Sequence, residues 1–184
     1  MLSMRSVPQA LPRLAALFLA AGLLTACAGT LTHDEIQAKF DAGLKAYDAG
    51  DYAAAFSTWK DIQDVDVAAL RNLALMLRKG QGIKQDLKAA REKMTTAADM
   101  GLVTAQYDLA EMYLNGEGAP RDVASAIPWL ERAAAAGHPF AAFELGKLLE
   151  AGDGIAKDPE RAQKLFQKAA SSGVAGAAER LKTP

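Results

Sequence analysis

A fixed period of 36 residues governs this chain and leaves few folds open to it. Gly80-Gln-Gly82 returns as Gly116-Glu-Gly118 and again as Gly152-Asp-Gly154. The same offset carries Asp86 onto Asp122 and Asp158, and Gly101 onto Gly137 and Gly173. Ala69 recurs as Ala105, Ala141 and Ala177, and Leu73 as Leu109, Leu145 and Leu181. Repetition of this length marks a solenoid, in which each unit is a supersecondary hairpin that buries its apolar face only against its neighbours. The expected fold is all-α: a right-handed α-solenoid of antiparallel helical hairpins. Such folds offer extended surfaces to other proteins, so the repeat points to a class of function before any side chain is considered.

The N-terminus carries a second signal. Arg5 and Arg13 precede an apolar run from Leu14 to Leu24, which leads into Leu24-Thr25-Ala26-Cys27. The run falls short of the roughly 20 apolar residues that span a bilayer. A basic flank, a short apolar core and small residues before a cut site describe a secretory signal peptide, here residues 1–26. Cys27 is the only cysteine, so no intramolecular disulfide can form. Leu24-Thr25-Ala26-Cys27 resembles the lipobox of bacterial lipoproteins. That resemblance implies that Cys27 is diacylated, becomes the first residue after cleavage and is then N-acylated, with a palmitate-type chain. An ordinary secretory signal with an incidental cysteine is the other reading. Several acyl chains give a stable anchor, whereas one binds only marginally.

Removal of Arg5 and Arg13 with the leader leaves 19 Lys and Arg against 22 Asp and Glu, a net charge of −3. That balance argues against nucleic acid, which needs a concentrated basic surface. Ala28 stands where lipoproteins kept in the inner membrane often carry Asp. By the same resemblance the anchor belongs in the outer membrane, with the protein facing the periplasm.

Residues 27–31 form the anchor and a short linker. Thr32-His33-Asp34-Glu35 then reads as a capping box that starts the first helix. Ile36, Phe40, Leu44 and Tyr47 fall on one helical stripe, and Phe56, Trp59 and Ile62 on the stripe facing it. Between them Ala49-Gly50-Asp51 reads as a turn, Gly in the left-handed position and Asp capping the next helix. This opening hairpin, residues 32–65, lacks the Gly-x-Gly loop. Three full units occupy 66–173, with first helices near 67–79, 103–115 and 139–151 and second helices near 87–100, 123–136 and 159–172. A short helix near 174–182, within a terminal segment 174–184, caps the stack. Paired alanines at Ala97-Ala98, Ala133-Ala134 and Ala169-Ala170 precede a glycine C-cap, where small side chains let the next hairpin dock.

Ala105-Gln-Tyr-Asp-Leu-Ala-Glu-Met-Tyr113, followed by Gly116-Glu-Gly118, Asp122, Ala126, Trp129, Ala133-Ala134 and Gly137, resembles a Sel-one-like repeat. That repeat is a relative of the tetratricopeptide repeat with a longer loop between its helices. The match runs from residue 66 to about 182, three times in register. Arg71 stands where the family usually has the aromatic that Tyr107 and Phe143 supply. Pro128 also replaces a common aromatic, inside a helix, where proline removes a backbone hydrogen bond and is expected to kink it.

Little catalytic chemistry is visible. A phosphate-cradling Gly-x-Gly needs a strand before it and a third glycine, whereas helices precede these loops, so Gly80, Gly116 and Gly152 read as helix C-caps. Asp86, Asp122 and Asp158 read as N-caps. His33 and His138 are far apart and have no cysteine partner, which speaks against a metal site. No Gly-x-Ser-x-Gly occurs. Some Sel-one-like proteins are linked to penicillin binding or hydrolysis, but those carry cysteine pairs in each repeat. The expectation is therefore a non-enzyme without cofactor, metal or small-molecule substrate: a lipid-anchored adaptor or scaffold for another protein, or a periplasmic immunity protein that occludes a secreted toxin. A β-lactamase-like or penicillin-binding enzyme is the remaining alternative.

Positions that differ between units should hold the specificity for a partner. Arg71, Leu75 and Arg78 fall at i, i+4 and i+7 on one face of the first repeat helix. The matching stripes are Tyr107, Glu111 and Leu114, then Phe143, Lys147 and Glu150. A groove of arginine, aromatic and leucine side chains has the composition of an interface centre; packing between helices is the competing reading for Tyr107 and Phe143. Exchange of Arg71 and Arg78 for Glu is expected to weaken partner capture and leave the helices intact.

Overall fold

Glycine and aspartate punctuate the chain at fixed intervals, and the helices begin and end where they do. The computed structural model describes residues 31–181. The leader, Cys27 and the linker through residue 30 lie outside the described residues, as do 182–184. The opening hairpin is α1 (His33–Asp48) and α2 (Tyr52–Lys60). Three pairs follow: α3 (Val67–Lys79) with α4 (Leu87–Asp99), α5 (Val103–Asn115) with α6 (Val123–Ala135), and α7 (Pro139–Ala151) with α8 (Pro159–Ser171). A single turn, α9 (Ala177–Arg180), ends the described chain. Each helix packs chiefly on those before and after it in sequence, the arrangement of a solenoid. No strand occurs among the described residues. None of their helices is long and apolar enough to cross a membrane.

The caps are those the composition dictates. Thr32 and Glu35 form a reciprocal capping box on α1. Asp51, Asp66, Asp86, Asp122 and Asp158 each accept a backbone N–H at the start of α2, α3, α4, α6 and α8, satisfying one of the orphan donors there. Gly80, Gly116 and Gly152 sit in the left-handed conformation, with φ of 68°, 69° and 76°. The next residue in each loop bonds back to the helix: Gln81 N–H to Met76, Glu117 to Met112, and Asp153 to Leu148.

The second glycine of each motif has a steric reason of its own. A Cβ on Gly82 would lie 2.5 Å from the Tyr52 backbone, one on Gly118 would lie 2.5 Å from the Leu87 carbonyl, and one on Gly154 would lie 2.7 Å from Val123. Those three neighbours are the first residues of α2, α4 and α6. Each loop therefore presses against the start of the preceding unit's second helix. The residue between the two glycines reaches the preceding unit as well. The Tyr47 hydroxyl donates to Gln81 at 3.0 Å, Arg78 grips the Glu117 carboxylate, and Arg121 donates to Asp153 at 2.7 Å.

Apolar packing fills the rest. Ala69, Ala105, Ala141 and Ala177 are buried, as are Leu73, Leu109 and Leu145 and the second-helix series Met94, Leu130 and Phe166. The core runs from Phe40 through Ala177 as two clusters whose flanking residues Tyr113 and Trp129 belong to both. In the opening hairpin Trp59 is fully buried, its ring N–H donating to the Phe40 carbonyl at 3.2 Å. Gly43 makes room for it, since a Cβ there would lie 2.4 Å from the indole.

One detail differs from the sequence expectation. The terminal helix is one turn, Ala177–Arg180, and does not reach from 174 to 182, because Gly176 takes a left-handed φ of 80° immediately before it. Val174 and Ala177 still bury against the last unit. Pro128 lies inside α6, as the sequence places it, and that helix has the same 13 residues as α4 and α8. It lies on the exposed side of the helix, where water can serve the carbonyl whose partner it removes.

Candidate functional site

The first helices of the three units, α3, α5 and α7, carry the residues that vary from unit to unit. Their side chains form a charged and aromatic network that ties one unit to the next. Arg71 donates to Asp108 at 2.6 Å, with the two side chains 11% and 1% exposed. A buried pair of this kind holds each charge by the other. Arg78, at the end of α3, closes on both carboxylate oxygens of Glu117 and stands 3.8 Å from Glu111. The Tyr107 hydroxyl donates to Glu111 at 2.8 Å. Further along, Lys147 pairs with Glu144 at 2.8 Å and lies over the Phe143 ring, and Arg180 pairs with Glu150 at 2.6 Å.

The stripes read from the sequence are thus largely engaged within the protein. Leu75 is 5% exposed and Tyr107 7%, so both are buried, Tyr107 in keeping with the reading that it packs between helices. Leu114 packs partly against the core, and Phe143 meets Phe166 with ring centroids 5.8 Å apart. Arg71 and Arg78 hold acids of the next unit, so their exchange for Glu would set carboxylate against carboxylate. The expectation that this double exchange leaves the fold intact is corrected on that ground. Among the nine residues Glu111, Leu114, Phe143, Lys147 and Glu150 keep intermediate exposure, as do Arg71 and Arg78.

Several residues of this face escaped the sequence reading. Asp108, Glu117 and Glu144 supply the acids of the network, and His138 and Phe140 extend its aromatic side. Asp108 had left a trace: Asn72, Asp108 and Glu144 are polar at one register of otherwise apolar helices. Asn72 is 3% exposed, and its amide nitrogen is the one buried side-chain polar atom without a hydrogen-bond partner among the described residues. His138 caps α7, its Nδ1 accepting from the Ala141 N–H at 3.3 Å, and its ring stacks on Tyr107 at 4.5 Å.

Electrostatics follow from this burial. The hydrogen bond from Arg78 holds the Glu117 carboxyl below the usual range, and the Arg78 guanidinium is raised in return. Desolvation pushes Glu111 up despite the Tyr107 hydroxyl and the nearby Arg78. It pushes the Tyr107 phenol up as well, aided by Glu111. Burial lowers His138, which therefore caps α7 as the neutral imidazole that can accept a hydrogen bond. Leaving aside the Glu150–Arg180 pair, the network holds four carboxylates, Asp108, Glu111, Glu117 and Glu144, against three cations, Arg71, Arg78 and Lys147. Every acid in it has a structural partner.

Comparison with known proteins agrees with this architecture. The Sel1 repeat family matches residues 67–102, 103–138 and 139–174, three consecutive copies, and the chain belongs to that family. A Sel1 repeat protein from Oxalobacter formigenes shares 32% identity and superposes with a TM-score of 0.72 over 77% of this chain and 58% of its own. The protective antigen c5321 of uropathogenic Escherichia coli, which displays an SLR fold, shares 25% identity, with a TM-score of 0.75 over 79% of this chain and 32% of its own. This chain therefore spans less than two thirds of either relative. Helicobacter pylori cysteine rich protein B, at 21% identity and a TM-score of 0.55, shares the fold. None of the curated proteins matches the chain. Sel1 repeats generally mediate protein–protein interaction, and this chain carries three of them.

Proposed function

We propose that the protein is a non-catalytic adaptor, anchored by lipid through Cys27, that holds a partner protein at the periplasmic face of the outer membrane. One observation carries the docking part of this reading. Where the solenoid needs the same residue it has it, as at Ala69, Ala105 and Ala141. The accessible registers of the first helices change character instead: Ala68, Thr104 and Phe140 at one, Arg78, Leu114 and Glu150 at another. Surface that varies while the frame repeats is surface free to recognise something. The anchor rests on the lipobox-like Leu24-Thr25-Ala26-Cys27 and on Ala28 behind it.

Affinity capture from detergent-solubilised envelope, with wild type and Cys27→Ser in parallel, tests both parts. The wild type should fractionate with the outer membrane and bring down one partner in constant ratio. Cys27→Ser should lose acylation and its tight hold on the outer membrane and accumulate uncleaved, but keep its partner. Wild-type fractionation of the serine variant would refute the anchor, and the absence of any retained protein would refute the adaptor. A toxin as the captured protein would make this an immunity adaptor.

A further inference from the structure

Phe140, the second residue of α7, is 48% exposed. Its counterparts one and two periods earlier are Thr104 and Ala68, so the solenoid itself asks for no ring at this register. A single exposed apolar side chain is ordinary. Phe140, however, belongs to a group. Its ring centroid lies 6.2 Å from that of Tyr107 and 6.2 Å from that of His138, and those two rings stack at 4.5 Å. The rings beneath are fixed: His138 is bound as the cap of α7, and the Tyr107 hydroxyl is bound to Glu111. The result is a rigid aromatic ledge with one open ring.

Acid meets the ledge at the Tyr107 hydroxyl, which donates to Glu111 at 2.8 Å, and Asp108 and Glu144 belong to the same network. Asp108 is neutralised by Arg71, and Glu144 by Lys147. Glu111 has less. Among the described residues its one ion pair is with Arg78 at 3.8 Å, and that guanidinium is already closed on Glu117. The shortfall of positive charge in the network therefore falls at Glu111, whose side chain is 26% exposed.

Resting on the docking role above, we propose that Tyr107, His138, Phe140 and Glu111 form a docking site for a cationic side chain, arginine or lysine, carried beside an apolar residue on a segment of the partner protein. An aromatic face attracts a cation lying within about 6 Å of its centroid. A carboxylate at the edge of that face adds a charge-assisted hydrogen bond, and a planar guanidinium can use both at once. The apolar neighbour would cover Phe140. An acidic segment gains nothing from Glu111 and is repelled by it.

The test uses the purified full chain, labelled with nitrogen-15, and two pentapeptide probes: Ala-Arg-Leu-Arg-Ala and the same peptide with Glu for Arg. The arginine peptide should shift backbone amide signals of residues 107–111 and 138–144 and saturate; the glutamate peptide should not. Phe140→Ala and Glu111→Gln, each checked for unchanged helicity, should weaken the arginine peptide by about tenfold. Equal binding of the two peptides, or wild-type binding by both variants, would overturn the site. Concentration-dependent dimerisation lost in Phe140→Ala would overturn it too, by making the ledge a contact between copies. A captured partner retained undiminished by both variants removes the ledge while leaving the adaptor. A response to the arginine peptide with no captured partner supports the ledge and counts against the adaptor.

Discussion

Gly146 on α7 faces the ring of Phe166 on α8 so closely that a Cβ on the glycine would lie 2.6 Å from the aromatic carbon Cε1. In the two earlier units the same registers hold Ala74 with Met94 and Ala110 with Leu130, all buried. Where the second helix gained a ring, the first helix gave up its methyl. Gly146→Ala should therefore cost about 1–3 kcal/mol by overpacking, more than the roughly 0.5–1 kcal/mol that alanine gains over glycine inside a helix. In a Phe166→Leu background the same exchange should stabilise, restoring the pair of the middle unit. Urea unfolding of the four proteins measures the coupling. Additive effects would refute the size compensation.

The Arg71–Asp108 pair should matter more than the ion pairs at the surface. Asp108→Ala leaves a guanidinium at 11% exposure without its partner, for which about 3–5 kcal/mol is expected. Glu131→Ala breaks the contact with Arg161, whose partners are 42% and 45% exposed, and should cost only about 0.2–1 kcal/mol. Similar unfolding midpoints for the two variants would contradict the buried character of the first pair.

His138 should make stability fall in mildly acidic solution. Its folded-state pKa is depressed by burial, so the unfolded chain binds the proton more readily. The stabilisation is complete above the ordinary imidazole value and is lost as pH falls through it toward the folded value. Asp108 favours the protonated ring and Arg71 opposes it, but desolvation dominates. His138→Asn keeps an acceptor at the N-cap without a titrating group. Its unfolding free energy should be flatter with pH than that of the wild type in this window, and an identical slope would exclude His138.

Interfaces between units should be sensitive where the exposed face is not. Ala134 is 5% exposed, at the end of α6 where α7 docks. Ala134→Leu should destabilise by about 1–3 kcal/mol. Lys84→Ala, at an exposed position, should remain within about 0.5 kcal/mol. Thermal or urea melts of the two decide, and equal shifts would contradict the interface assignment.

The helices were legible because their signals are local. Asp at the N-cap, Gly at the end and alanine at close crossings each act within a few residues, and α3, α5 and α7 run where the sequence places them. The network on the first helices was legible only in part. Arg71 and Asp108 are 37 residues apart, and Arg78 and Glu117 are 39 apart, so no helical periodicity relates them. A stripe that looks open along one helix closes when the next unit arrives. Arg71 in place of an aromatic was a visible irregularity, and its partner Asp108 sits in the following unit, at a register that is polar in all three units. The shortened α9 turns on Gly176, whose left-handed conformation depends on how the last turn folds back.

The loop residue between the two glycines gives the stack a seam with polarity. At each seam the donor belongs to the earlier unit and the acceptor to the later one: Tyr47 to Gln81, Arg78 to Glu117, Arg121 to Asp153. Loss or duplication of one whole unit would therefore still bring a donor edge against an acceptor edge. Lineages of this fold can lengthen or shorten by copying units without inventing a new junction. The same polarity gives synthesis a direction, because each newly made loop finds its donor already present on the chain behind it.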